Sequence, residues 1–315
     1  VAVPDEREHV AFVFPGQGSQ YVGMGKALYE ASHAARRIFQ QADEAVGFSL
    51  SRLCFEGPED ELQDTINAQP AILTVSVACL AALRERWEGL GRAVAPIAVA
   101  GHSLGEFTAL VAAGALDFSD AVRLVRERGR LMKESGEGRA GGMAAIVGLN
   151  QEGLEEVCTE ARQEGILVLA NANSPDQRVV SGERAALQRA VTLARARGAK
   201  AVILPITIAS HSPLMQRAAV LFAEMLSNIQ MRDPEVPVVA NITGQLVITS
   251  EEIRRELHDH LLRPVEWSRS VREMIESGAD TFLEIGPGQV LSRLIKRISH
   301  DVRALSLSDA EIAKL

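Results

Sequence analysis

Cysteine is scarce in this chain: three in 315 residues, at Cys54, Cys79 and Cys158. An odd number so widely spaced forms neither a disulfide framework nor a metal-binding cluster. Positive charge is also short. Lys and Arg total 33 against 41 Asp and Glu, and the net charge of −8 argues against nucleic acid as a partner and against a polybasic membrane anchor. The longest largely apolar stretch, from Pro70 to Leu83, is too short and too interrupted to span a bilayer. The charged start, Val1 to Glu8, lacks the apolar core of a signal peptide. The 25 glycines follow no collagen-like period, and 47% hydrophobic with 23% charged residues is no disordered composition. The expectation is a cytoplasmic globular protein of one large domain or two, with no membrane contact.

Patterning gives the organisation. Residues 9–14 read as a buried strand broken by Pro15-Gly16-Gln17-Gly18-Ser19, and a helix is expected over 24–45. Asn67-Ala68-Gln69-Pro70 reads as a helix opening, with proline in the first turn and apolar residues recurring helically to Trp87. A small-residue strand at 97–100 leads into Gly101-His102-Ser103-Leu104-Gly105, with a helix expected over 106–115. The stretch 136–142 is the most loop-like of the chain. Beyond it the order becomes βαββαβ up to about residue 206, the ferredoxin-like arrangement of an antiparallel sheet with two helices on one face. An α/β fold follows, with a core at 1–138 and 207–315 and a ferredoxin-like subdomain at 139–206. After it come helices at 213–229, 251–261, 268–277 and 290–298, and strands at 236–240 and 281–285.

Gly101-His102-Ser103-Leu104-Gly105 fits a nucleophile elbow, in which glycines flank the serine because a sharp strand-to-helix turn leaves no room for side chains. The turn sets the Ser103 hydroxyl at a helix N-terminus, where the Leu104 N–H and the helix dipole stabilise an oxyanion. Such a serine needs a base. Of the seven histidines, His9, His33, His258 and His300 sit in polar surroundings, and His102 adjoins the serine and supports the elbow. His211 ends the apolar run 202–209 and is the best candidate base. No Asp stands in an obvious triad position. Either a backbone carbonyl orients His211, or a distant group such as Asp280 does. Arg128 lies among several arginines at 123–130, most of them expected on a solvated helix face; its planar fork would suit a substrate carboxylate.

These residues carry a resemblance. Phe12-Val13-Phe14-Pro15-Gly16-Gln17-Gly18-Ser19-Gln20, the elbow, Asn173-Ser174-Pro175, Ile208-Ala209-Ser210-His211-Ser212 and Glu284-Ile285-Gly286-Pro287-Gly288 together resemble the malonyl-CoA:acyl-carrier-protein transacylases over about residues 9–298. The resemblance implies an α/β-hydrolase-like core with a ferredoxin-like insert. It implies Ser103 as acyl-accepting nucleophile, His211 as base, and the Gln17 and Leu104 N–H groups as oxyanion hole. Arg128 would pair with the malonyl carboxylate. His260 occupies a position where the family commonly has Gln or Asn, whose main-chain carbonyl orients the imidazole; a second imidazole there would perturb titration.

The implied reaction moves a malonyl group from malonyl-CoA to the phosphopantetheine thiol of an acyl carrier protein, with no metal and no cofactor, by a monomer. Leu104 after the serine favours malonyl over methylmalonyl, while Ile208-Ala209-Ser210 before the histidine matches no polyketide signature fully. The alternatives are a discrete polyketide-type acyltransferase of other acyl specificity, a serine thioesterase or hydrolase, and a catalytically silent docking module. Because the chain is acidic, attraction to an acidic carrier protein requires a local basic patch. Two are available: Arg184, Arg189, Arg195, Arg197 and Lys200 in the insert, which is preferred, and Arg293, Lys296 and Arg297 on the last helix.

Overall fold

The computed structural model describes residues 9–137 and 141–314. The expected boundary at 138/139 and the charged start therefore lie outside the described residues. Among the described residues ten strands form two sheets. The first sheet takes β1 (Val10–Phe14), β2 (Ala98–Gly101), and the later strands β7 (Val238–Val239), β8 (Leu246–Val247), β9 (Thr281–Ile285) and β10 (Arg303–Leu307). Their order is β10-β9-β1-β2-β7-β8, parallel except for the terminal β7–β8 pair. Central strands of a parallel sheet are covered on both faces, which explains why Val10 to Phe14 are buried without alternation.

The second sheet holds the intervening β3 (Gly141–Val147), β4 (Leu167–Ser174), β5 (Gln177–Glu183) and β6 (Lys200–Ile203), in the order β4-β5-β3-β6 with every pair antiparallel. The helices Gln151–Ala161 and Arg184–Ala196 complete a ferredoxin-like unit. Both helices cover one face of its sheet, packing on Ala144, Ile146, Leu167 and Val180. The opposite face presents Met143 and Val179 to a cleft above the first sheet. The unit leaves and rejoins the core at touching points: a Cβ on Gly136 would lie 3.7 Å from Ile208 Cγ1.

Several elements depart from the sequence expectation. The helix expected over 24–45 is two, Lys26–Ala31 and His33–Val46. Ser32 is extended between them and its hydroxyl caps Ala35 N–H, so capping chemistry overrides a continuous apolar face. Pro70 does not open its helix. The helix Thr65–Gly89 starts a turn earlier, where the Asp64 side chain accepts from Ile66 N–H. At 25 residues this helix is long and apolar enough to cross a membrane, yet it is the central helix of the core, buried along most of its length. Strand β10 escapes periodicity because five residues with mixed exposure carry no readable period.

The insert arginines are also placed differently. Arg184, Arg189 and Arg195 belong to the helix Arg184–Ala196, with Arg197 just past its end, on the layer turned away from the cleft. Arg189 pairs with Glu160, and Arg197 with Glu156 and Glu160, so two of the five charges are balanced within the insert.

Candidate active site

The elbow sits at the C-terminal edge of the parallel sheet, where open α/β sheets place their ligands. Its glycines are required by contact. A Cβ on Gly101 would lie 1.9 Å from the Gly105 carbonyl oxygen, and one on Gly105 would lie 2.2 Å from Phe14 O. The serine is held in the left-handed region, at φ 50°, and His211 likewise at φ 57°. Among the described residues these two alone carry that strain outside glycine, and such strain persists only where surrounding contacts over-determine it. One of those contacts is Asn241, two residues past the end of β7. Its Oδ1 accepts from Ser103 N–H at 2.6 Å and its Nδ2 donates to Gly101 O at 2.7 Å. Gly105→Ala is therefore expected to lose at least about 2 kcal/mol of stability in urea unfolding, since the helix Gly105–Ala112 must lift off β1. An unchanged midpoint would contradict that packing.

Ser103 Oγ lies 2.8 Å from His211 Nε2. The imidazole's other nitrogen, Nδ1, is 3.0 Å from both the His260 and Arg263 carbonyl oxygens. Carbonyls only accept, so the proton resides on Nδ1 and Nε2 is free to take the serine proton. Asp280 is not the orienting group; it precedes β9 at the opposite end of the sheet, 4.0 Å from His9. Burial, reinforced by His260, Arg128 and His102, holds His211 well below the ordinary imidazole range.

Arg128 comes from the helix Phe118–Gly136 and is 1% exposed, unlike the outward arginines of the same helix. Its Nη2 donates to Ser103 Oγ at 3.2 Å and its Nη1 to Gln69 Oε1 at 2.7 Å, while its Nε–H is buried without a partner. Burial lowers its pKa to about 10, which leaves it charged at neutral pH. Its acceptors are uncharged, so the cation meets no carboxylate in direct contact. His260 stands behind the cleft, with Nδ1 3.3 Å from Arg128 Nη2 and Nε2 3.1 Å from Glu106 Oε2.

Gln17, Leu104 and His102 join Ser103, Arg128 and His211 around a cleft of about 270 Å³. His102 turns from the serine to Asn173 Oδ1 at 2.8 Å and packs on Trp267. The Gln17 side chain accepts from Thr65 Oγ at 3.0 Å. One wall is the insert, through Met143, Asn173, Val179 and Leu204; the other is the helix Val290–Ile298, through Val290, Leu291 and Leu294. That helix is fixed by buried Glu284, whose carboxylate accepts from Leu291 N–H at 2.9 Å, Ser292 N–H at 2.7 Å and the Ser292 hydroxyl. Among the described residues no three His, Cys, Asp or Glu side chains are placed to share a metal ion. Sequence reasoning missed Asn241, Gln69 and Glu106 as parts of the site. A polar residue closing a parallel strand, as Asn241 does, was the readable signal.

A strained serine in an elbow, a carbonyl-oriented histidine and a buried guanidinium beside them define a serine acyl-transfer enzyme on an α/β-hydrolase-like core. Residues 11–314 match the acyl transferase domain. The malonyl CoA-acyl carrier protein transacylase of Bacillus subtilis strain 168 is 44% identical over 308 residues, covering 97% of this chain and 95% of that one. Among solved structures, the malonyl CoA-acyl carrier protein transacylase of Coxiella burnetii has a TM-score of 0.92 at 40% identity, covering 98% of this chain and 96% of that one. A malonyl-transacylase solved in complex with a type II polyketide acyl carrier protein has a TM-score of 0.91 at 40% identity, covering 97% and 98%. The chain belongs to the acyl transferase family and, within it, to the malonyl CoA-acyl carrier protein transacylases.

Proposed function

We propose that this protein transfers a malonyl group from malonyl-CoA to the phosphopantetheine thiol of an acyl carrier protein, through an ester on Ser103. The observation that carries this reading is Arg128, a buried guanidinium 3.2 Å from the Ser103 hydroxyl with no carboxylate touching it. In the first half-reaction Ser103 Oγ attacks the thioester carbonyl while His211 Nε2 takes its proton. The backbone N–H groups of Gln17 and Leu104 receive the oxyanion, and the protonated imidazole is steadied by the His260 and Arg263 carbonyls. The C–S bond breaks and the coenzyme A thiol leaves with the proton from His211. In the second half the carrier thiol gives its proton to His211 and attacks the acyl-serine, and Ser103 is regenerated. The residues supply all of this chemistry, and neither a metal nor an organic cofactor is called for.

Arg128 supplies the preference for an acyl group that ends in a carboxylate. The malonyl carboxylate takes the place that the serine hydroxyl and the unpartnered Nε–H leave open, whereas an acetyl group leaves the buried cation unpaired. Arg128→Ala is expected to lower malonyl self-acylation at least about 100-fold more than acetyl self-acylation, read by intact-mass kinetics with the two thioesters. An equal fall for both would reduce Arg128 to a packing residue. For the carrier protein, exposed Arg293 and Lys296 on the helix Val290–Ile298 support approach along that wall of the cleft.

A further inference from the structure

The side chain of His260 has no part in the steps above, which use only its carbonyl. Yet it is 1% exposed, and it lies between the cation of the cleft and a second buried ionisable group. Arg128 Nη2 can only donate, so His260 Nδ1 at 3.3 Å accepts and the ring proton is on Nε2. That nitrogen faces Glu106 Oε2 at 3.1 Å along a bent approach. The Phe107 ring packs edge-on against the imidazole, at 5.6 Å between centroids, and also lies under the Arg128 guanidinium at 5.6 Å. A row results: Glu106, His260, Arg128, Ser103.

From this row we infer that the His260 side chain is a positioning residue for Arg128, and that it sets selectivity for carboxylate-bearing acyl groups. It does so in two ways. As a neutral acceptor it fixes the rotation of the guanidinium, so that the remaining N–H groups stay directed at the acyl site. As a spacer it keeps Glu106 one ring away from Arg128. A carboxylate in direct contact would form a closed ion pair and compete with the substrate's own carboxylate. Burial pushes Glu106 up to about 8, which further limits the negative charge behind the ring at neutral pH.

The inference rests on Arg128 binding the malonyl carboxylate, so the experiment is run beside Arg128→Ala. His260→Gln retains an acceptor for Nη2 and a donor for Glu106. His260→Leu and His260→Phe remove both nitrogens with two different shapes and leave the carbonyl that orients His211. In either apolar variant the KM for malonyl-CoA is expected to rise about tenfold, with a smaller fall in kcat. The malonyl-to-acetyl ratio of self-acylation is expected to drop by a similar factor, while His260→Gln stays within about threefold of the parent in both readings. Melting temperatures separate loss of fold from loss of selectivity. An unchanged ratio in the apolar variants, with the ratio collapsed in Arg128→Ala, overturns the role of His260 and leaves that of Arg128 standing. A failure of His260→Gln to restore the ratio also overturns it. An unchanged ratio in Arg128→Ala itself removes the reading beneath.

Discussion

Mixed with malonyl-CoA and no carrier protein, the protein is expected to gain the mass of one malonyl group, and Ser103→Ala to gain none. The two half-reactions share one nucleophile, one base and one oxyanion site, so the acyl-enzyme accumulates when no thiol acceptor is present. Removing Oγ deletes the atom, 2.8 Å from His211 Nε2, that carries the acyl group. Steady-state transfer should fall by at least about 10⁴-fold, because members of such a unit are not replaced by their neighbours. The alanine variant keeps the backbone at φ 50° and the Asn241 contacts, so its melting temperature should be close to the parent's or higher. A malonyl adduct in Ser103→Ala would move the nucleophile elsewhere.

The second large effect is expected at His211. His211→Ala removes the proton acceptor and should slow Ser103 acylation by at least about 10³-fold. The parent's pH profile carries the finer information. Burial and the neighbouring His260 and Arg128 lower the His211 pKa well below the usual imidazole range. A lowered pKa keeps the base neutral to more acidic pH. The rate of Ser103 acylation should therefore be flat across neutral pH, and should decline only in acid, below the 6.5 of an unperturbed histidine. An acid limb centred at or above 6.5, measured by single-turnover acylation, would contradict a base buried in this way.

Much of this was legible in the sequence, for reasons that differ from element to element. The strand at residues 10–14 and the elbow could be read because burial on both faces and steric crowding leave few residue choices. The βαββαβ order of the insert was readable because its strands and helices are short, regular and separated by turn residues. His211 could be chosen because it closes an apolar run. What could not be read is mostly relational. Gln69, read as part of a helix opening, is instead the residue that grips Arg128 across 59 positions of chain. Asn241 pins a serine 138 positions away, and no local pattern announces such a contact. The surroundings of the insert arginines were hidden for a similar reason. Sequence shows their charge, but only the fold shows Glu156 and Glu160 beside them and the cleft on the other face.

The chain leaves the core for the insert and returns from it at points that nearly touch, near Gly136 and Ile208, and strand β4 is bonded to the core through Ala170, Ala172 and Val265. Closing a loop over so short a gap costs chain entropy that grows only slowly with the length of the loop. The molecule thus resembles a tool with two jaws. The nucleophile and its base stay in the parallel-sheet half, while one wall of the opening is carried by the insert, which is clamped to that half along β4. The joint runs close to the reacting atoms, since Asn173 of β4 holds the imidazole of His102 beside Ser103, so a change in that jaw is felt at the nucleophile.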